Sequence, residues 1–201
     1  MFIATPCYRG EPSEPTKRTA EGIYARHGGP HGHTQWRILE GCPWVGNARS
    51  ELVAEFLDTD ARSPLGTHML WLDADISFDP DVVDRMLALS APVVLCRYLA
   101  RKPPYAFVEG LGCTLVQRHV FERLWADCAE RLTYLRDCND RPAVHIFAHS
   151  VGTLSGQSRM LGEDGVFFRR CRAAGFQVRT LATATIVHDG IAGTYSETQH
   201  Q

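Results

Sequence analysis

Four consecutive apolar residues, Met69–Leu72, run without interruption into Asp73, Ala74 and Asp75. A strand that is apolar on both faces belongs inside a sheet covered by helices on each side, which is the setting of parallel strands. Such a strand predicts an α/β domain rather than a helical bundle or a half-solvated sandwich. The carboxylates that follow cannot lie unpaired in that core, because burying a charge without a partner is costly. They stand at the strand's end, either as plain turn residues or as ligands to a cation.

The rest of the chain alternates short β-rich runs with helical patterns, the signature of an α/β domain. Phe2–Thr5 reads as a first strand stopped by Pro6. A weak helical segment to Arg26 and a Gly/Pro loop over His27–His33 follow. Thr34–Glu40 is a second strand, and Asn47–Thr59 places Ala48, Leu52, Val53, Phe56 and Leu57 on one helical face. Asp79-Pro80 opens another helix, with an acceptor side chain at the N-cap and proline at the first helical position. Pro92–Tyr98 is a strand, Gly110–Val116 a glycine-entered strand, and His119–Leu132 an amphipathic helix. Asp137–Leu161 lacks periodicity and reads as one long loop. Gly162–Gly175 is a helix stopped by its last glycine, and Gln177–His188 a final strand before a polar tail.

A length of 201 residues fits one domain. The net charge of −2 gives no general pull toward nucleic acid or anionic membrane. Seven cysteines, odd in number and without a C-x-x-C pair, point to a reduced, cytoplasmic setting. The N-terminus does not read as a signal peptide, and no apolar window approaches the ~18 residues that span a bilayer. Membrane contact is therefore expected to be peripheral at most.

Three groups share one place in this topology. Asp73 and Asp75 end a central strand, Glu163 and Asp164 start a late helix, and His188 ends the last strand. In open α/β sheets, ligands bind beyond the carboxyl ends of the strands. In extended backbone Asp73 and Asp75 leave the same face, with small Ala74 between them leaving room for a ligand. Carboxylate oxygens suit Mg²⁺ or Mn²⁺, and a histidine ligand tilts the choice toward Mn²⁺. Plainer readings stand beside these. Acids in a first helical turn are favoured by the helix dipole, which also favours their ionised form. His188 could be a satisfied strand-end histidine. Arg49 could pair with an acid on its own helix, and Gly112 could serve backbone packing. His27, His31 and His33 read as a surface loop rather than a zinc site.

In this order the motifs resemble the GT-A-fold glycosyltransferases, which use nucleotide sugars. "IATPCYRG" resembles their first strand and nucleotide-binding loop, and "VGNARSELVAEFL" the helix before the metal motif. "THMLWLDADISFDPDVVDRML" resembles the Asp-x-Asp strand and the helix after it. "GLGCTLVQRHVFERL" is similar to the glycine-rich strand that floors the acceptor site. "LGEDGVFFRRCRAAGFQV" is similar to the Glu-Asp helix, and "TATIVHDG" to the strand ending in the metal-binding histidine.

The resemblance implies an open, mostly parallel, twisted Rossmann-like sheet with helices on both faces. It implies one catalytic domain over 1–201, with a nucleotide-sugar and metal-binding part at 1–110, an acceptor-side part at 111–188 and a tail at 189–201. Thr5, Pro6, Tyr8, Arg49, Asp73 and Ala74 would bind the nucleotide sugar. Asp75 and His188, with Asp73, would hold Mn²⁺ or Mg²⁺. Asp164 would be the general base, and Glu163 would set the acceptor or cap the helix. The implied reaction moves a sugar from a UDP- or GDP-linked donor to a carbohydrate or other hydroxyl acceptor, with inversion. The chain departs from the family's frequent Ala-Arg-Asn by placing Ser50 after Arg49. Two alternatives remain at this point. One is a haloacid-dehalogenase-like Asp-x-Asp phosphohydrolase, with Lys102 and Glu163-Asp164 as its later motifs. The other is a non-catalytic nucleotide-sugar or carbohydrate-binding module.

Overall fold

The computed structural model describes residues 1–8, 10–28, 33–58, 66–101, 105–136, 141–154 and 157–196. Lys102, His31 and the segment 137–140 that opens the expected long loop lie outside them. The elements begin with β1 (Phe2–Cys7), α1 (Glu14–His27), β2 (Gln35–Glu40), α2 (Val45–Leu57), β3 (His68–Leu72) and β4 (Ile76–Phe78). Next come α3 (Asp81–Ala88), β5 (Val93–Leu99), β6 (Phe107–Gln117), α4 (Arg118–Leu132), β7 (Thr133–Leu135) and β8 (Pro142–Val144). The chain continues through β9 (Ser150–Leu154), β10 (Gln157–Leu161), α5 (Glu163–Ala173), β11 (Val178–Thr180), β12 (Thr185–His188) and β13 (Ile191–Thr194).

Six strands form the central sheet in the order β11-β5-β6-β3-β1-β2. The pairs β1/β2, β1/β3 and β5/β11 are parallel, while β6 runs antiparallel to both β3 and β5. Five strands therefore point one way, and their carboxyl ends share one edge. Alternation along each strand sends Phe2, Ala4, Met69, Trp71, Val93 and Leu95 to one face and Ile3, Leu70, Leu72, Val94 and Cys96 to the other. Helices α2, α4 and α5 cover the first face, and α1 and α3 the second. The mostly parallel sheet with helices on both faces is the expected architecture, and Met69–Leu72 is fully buried at its heart.

Several local expectations are corrected. Pro6 does not stop β1, which continues to Cys7. Strand β3 pairs with β1 only as far as Ala4, so Pro6 lies where β2 is the remaining partner and a missing N–H is tolerated. The helix after Asp79 starts one residue later than expected, at Asp81, with Pro80 at the N-cap in helical dihedrals, while the Asp79 carboxylate accepts from the Asp81 N–H at 3.0 Å. The stretch expected as one loop carries strands, including the antiparallel β9–β10 hairpin. The expected last strand is two. It breaks at Thr183, where φ is +64°, so β11 edges the central sheet while β12 joins the small sheet β13-β12-β4. The 110–113 segment of β6 is a bulge, since Leu95 faces Thr114 but Arg97 faces Glu109.

Candidate active site

The Asp73–Asp75 segment is a turn rather than extended backbone, closed by the Ile76 N–H donating to Asp73 O at 3.0 Å. It is held from three sides. The Ser13 N–H at the start of α1 donates to Ala74 O at 2.8 Å, and the Thr16 hydroxyl lies within hydrogen-bonding distance of Ala74 O and Ile76 O. The Asp189 N–H, in the turn between β12 and β13, donates to Asp75 O at 2.9 Å. On the β6 side, the Asp73 N–H donates to Gly112 O at 3.1 Å. The turn sends the two carboxylates to different partners, which corrects the expectation of a common face.

Asp73 turns inward to Arg49. The guanidinium, 2% exposed, places Nη2 3.0 Å from Asp73 Oδ1 and 3.6 Å from Asp164 Oδ1, and it stacks 5.2 Å from the Trp71 ring. Arg49 therefore pairs with acids from the end of β3 and the start of α5, not with one on its own helix. It is buried beneath the site rather than open to a nucleotide base. Burial opposes the charge, but the Asp73 and Asp164 carboxylates hold the Arg49 pKa above its ordinary value, so it is cationic throughout. Arg49 Nε and Nη1 and Asp164 Oδ1 lack a hydrogen-bond partner among the described residues. Ser50, at the departure from Ala-Arg-Asn, turns elsewhere: its hydroxyl donates to Gly46 O at 2.8 Å and meets His145 Nδ1 at 3.1 Å.

Burial pushes the Asp164 pKa up to about 6, aided by the charges of Asp73 and Glu163 and opposed by Arg49 and the Leu111 N–H. Desolvation thus outweighs the helix dipole that was expected to favour the ionised form. Glu163 lies 3.3 Å from His149 Nε2. Among the described residues no side chain caps α5, so Glu163 has no capping role here.

Asp75 faces the small sheet. The antiparallel register of β12 against β4, with His188 opposite Ile76, carries His188 to Asp75, and their Nε2 and Oδ1 are 3.9 Å apart. Arg101 pairs with Asp75 and donates from Nε to His188 Nε2 at 3.0 Å. Since a guanidinium can only donate, His188 Nε2 carries a lone pair, and its proton sits on Nδ1, which donates to Leu99 O at 2.8 Å.

A cavity of about 600 Å³ opens at this edge, lined by Pro6, Tyr8, Asp73, Ala74, Asp75 and Arg101 among others. Tyr8 is 65% exposed there. Thr5 is not in it: fully buried, its hydroxyl accepts from the Trp36 indole N–H at 3.0 Å. Alternation explains this, since neighbours on a strand face opposite sides. Gly112 serves close packing: a Cβ there would stand 2.9 Å from Asp73 Oδ2 and 3.1 Å from the Tyr98 hydroxyl. Of the clustered histidines, His27, the last residue of α1, lies 3.2 Å from Asp84 on α3, and the His33 carbonyl accepts from the N-terminal amine at 2.8 Å. Sequence reasoning missed Arg101 and His149. Arg101 was findable as a cation just past a strand's carboxyl end, whereas His149 lay in an aperiodic stretch with no signal.

Among the described residues no three His, Cys, Asp or Glu side chains converge as a cation cluster. The Asp75–His188 pair nevertheless fits a divalent cation, because a carboxylate and an imidazole lone pair already converge on a positive group, the Arg101 guanidinium. Two protein ligands suffice where substrate phosphates and water complete the shell, as is usual for Mg²⁺.

No helix among the described residues is long and apolar enough to cross a membrane. No protein-family model matches the chain, and no curated protein does. Solved structures do. A197 from STIV is similar at 15% identity with a TM-score of 0.56, covering 98% of this chain and 94% of that one. The catalytic domain of Drosophila beta1,4galactosyltransferase 7, in complex with xylobiose, aligns at 15% identity and a TM-score of 0.48, over 100% of this chain and 72% of that one. A glycosyltransferase involved in the glycosylation of the major capsid of PBCV-1 aligns at 13% identity and 0.39, over 65% and 68%. At these identities the likeness to A197, whole chain to whole chain, is a likeness of fold.

Proposed function

We propose that the chain is a divalent-cation-dependent glycosyltransferase, moving a sugar from a UDP- or GDP-linked donor to a hydroxyl acceptor with inversion. The observation that carries this reading is the meeting of three separate chain regions at one sheet edge. There the Asp73–Asp75 turn meets Asp164 through Arg49 and His188 through Arg101, and the turn and Arg101 line the cavity at that edge. Pro6, Tyr8 and Ala74 line the place for the nucleotide, with the Tyr8 ring free to stack on the base. Asp73, held by Arg49, offers its Oδ2 to a ribose hydroxyl. Asp75 and His188 Nε2 would hold Mn²⁺ or Mg²⁺, which when bound stabilises the negative charge that builds on the leaving diphosphate.

Asp164 takes the proton from the acceptor hydroxyl as its oxygen bonds to the anomeric carbon and the bond to the diphosphate breaks. A pKa near 6 suits a base at neutral pH: mostly ionised, yet basic enough to accept a proton. Arg49 holds that carboxylate in place from below. The β9–β10 hairpin leads directly into α5 and is the candidate acceptor-side element.

The test is transfer by the Asp164→Asn protein from UDP- and GDP-sugars with Mn²⁺. Donor affinity should stay within a few-fold while transfer falls about 10²–10⁴, the worth of a positioned base. NMR of the product should show the anomeric configuration opposite to the donor's. Near-normal transfer would remove Asp164 as base, and a retained configuration would remove the inverting mechanism.

A further inference from the structure

We propose that Arg101 is a built-in occupant of the cation position, holding Asp75 and His188 until a divalent cation and a nucleoside diphosphate arrive together. The diphosphate then becomes the guanidinium's new partner. This rests on the cation-dependent reading above and adds to it an order of events.

The geometry behind it is compact. Arg101 stands two residues beyond the end of β5 and reaches both would-be cation ligands at once, pairing with Asp75 and donating to His188 Nε2 at 3.0 Å. The His188 ring is fixed by its Nδ1–H bond to Leu99 O and by the Tyr98 ring 5.0 Å away, so its lone pair cannot turn aside. A cation therefore cannot take both ligands while Arg101 stays. Arg101 can leave: its side chain is 54% exposed, and an ion pair so open to water is weak. It also lines the same cavity as Tyr8, Asp73 and Ala74, so a displaced guanidinium remains beside the place of the diphosphate. The planar fork of arginine matches phosphate oxygens two at a time.

Two consequences follow from this competition. A cation arriving without the nucleotide must break the Arg101 contacts with nothing offered in return. A cation arriving with the diphosphate supplies the guanidinium with a phosphate. Cation and nucleotide should then strengthen each other's binding, and part of that coupling passes through Arg101.

The experiment is Mn²⁺ binding to the full chain, read by electron paramagnetic resonance of free Mn²⁺. It is run without nucleotide and with UDP or GDP, after correction for Mn²⁺ held by the nucleotide itself. In Arg101→Gln, Mn²⁺ without nucleotide should bind about 2–5-fold more tightly, the scale of losing one exposed ion-pair competitor. The factor by which UDP or GDP improves Mn²⁺ affinity should shrink. Arg101→Lys keeps the charge but cannot fork across both ligands, so its Mn²⁺ affinity should fall between the other two. Unchanged or weaker affinity in Arg101→Gln overturns the proposal, as does an Arg101→Lys protein identical to wild type, which would reduce the effect to charge. Equal binding by wild type and Arg101→Gln leaves the cation reading standing and removes this inference alone. No Mn²⁺ uptake by either protein, with or without nucleotide, removes both.

Discussion

Asp164 shows how one side chain can be costly to the fold and still suit the proposed chemistry. Its carboxyl pKa, raised to about 6 by burial, lies above the value of about 4 it has in an unfolded chain. Between those values the folded protein binds more protons than the unfolded one, so stability falls as pH rises through that window. At pH 7 the ionised, enclosed carboxylate is a net cost, and Arg49 offsets only part of it. Asp164→Asn should therefore melt higher than wild type at pH 7–8, with the advantage gone near pH 4, where wild type is protonated too. A variant no more stable at pH 8 would mean that the Arg49 pairing outweighs burial.

At the scale of elements, the β6 bulge sets how close the strands come. Gly110 and Gly112 let it press against Tyr98 and Asp73, and a Cβ at Gly110 would stand 1.9 Å from the Tyr98 hydroxyl. Tyr98 is buried and its hydroxyl accepts from the Gly112 N–H, so it cannot simply swing away. Gly110→Ala should cost about 1–3 kcal/mol in denaturant unfolding, as overpacking does, with part recovered by adding Tyr98→Phe. A neutral Gly110→Ala would show that the bulge yields freely.

This bulge also marks where the sequence stops being readable. The apolar run Met69–Leu72 was enough to place β3 at the centre of a helix-covered sheet, because burial on both faces leaves no other setting. Proline at Asp79-Pro80 and the glycine after α5 marked helix ends through fixed backbone preferences. The bulge, the break at Thr183 and the β9–β10 hairpin arise from contacts between distant segments, and local composition is silent on those. The same holds at the site. Asp73, Asp75, Asp164 and His188 were legible as acids and a histidine at element ends. Their division into an inner group around Arg49 and an outer group around Arg101 was not, because it depends on a turn closed from α1, β6 and β12 at once.

For the whole molecule, the proposed ligands should act as stabilisers, since they bind the folded site and not the unfolded chain. At one hundred times its Kd, a ligand contributes about 2.7 kcal/mol, which is roughly 5–10 °C for a domain of this size. UDP or GDP with Mn²⁺ should give a shift of that order, and either component without the other a smaller one. A panel of nucleoside diphosphates that leaves the melting temperature unmoved, with Mn²⁺ present, would count against the nucleotide-sugar reading.

Arg49 has a further effect, on assembly. It links α2 to the end of β3 and, across most of the remaining chain, to α5. A guanidinium shut inside the protein with a partner missing costs about 3–5 kcal/mol, a large share of the roughly 5–15 kcal/mol that holds a domain together. A compact chain with α5 docked in the wrong place would leave Arg49 to Asp73 alone and bear part of that penalty. The buried charge therefore biases folding toward the arrangement that brings the second acid to it.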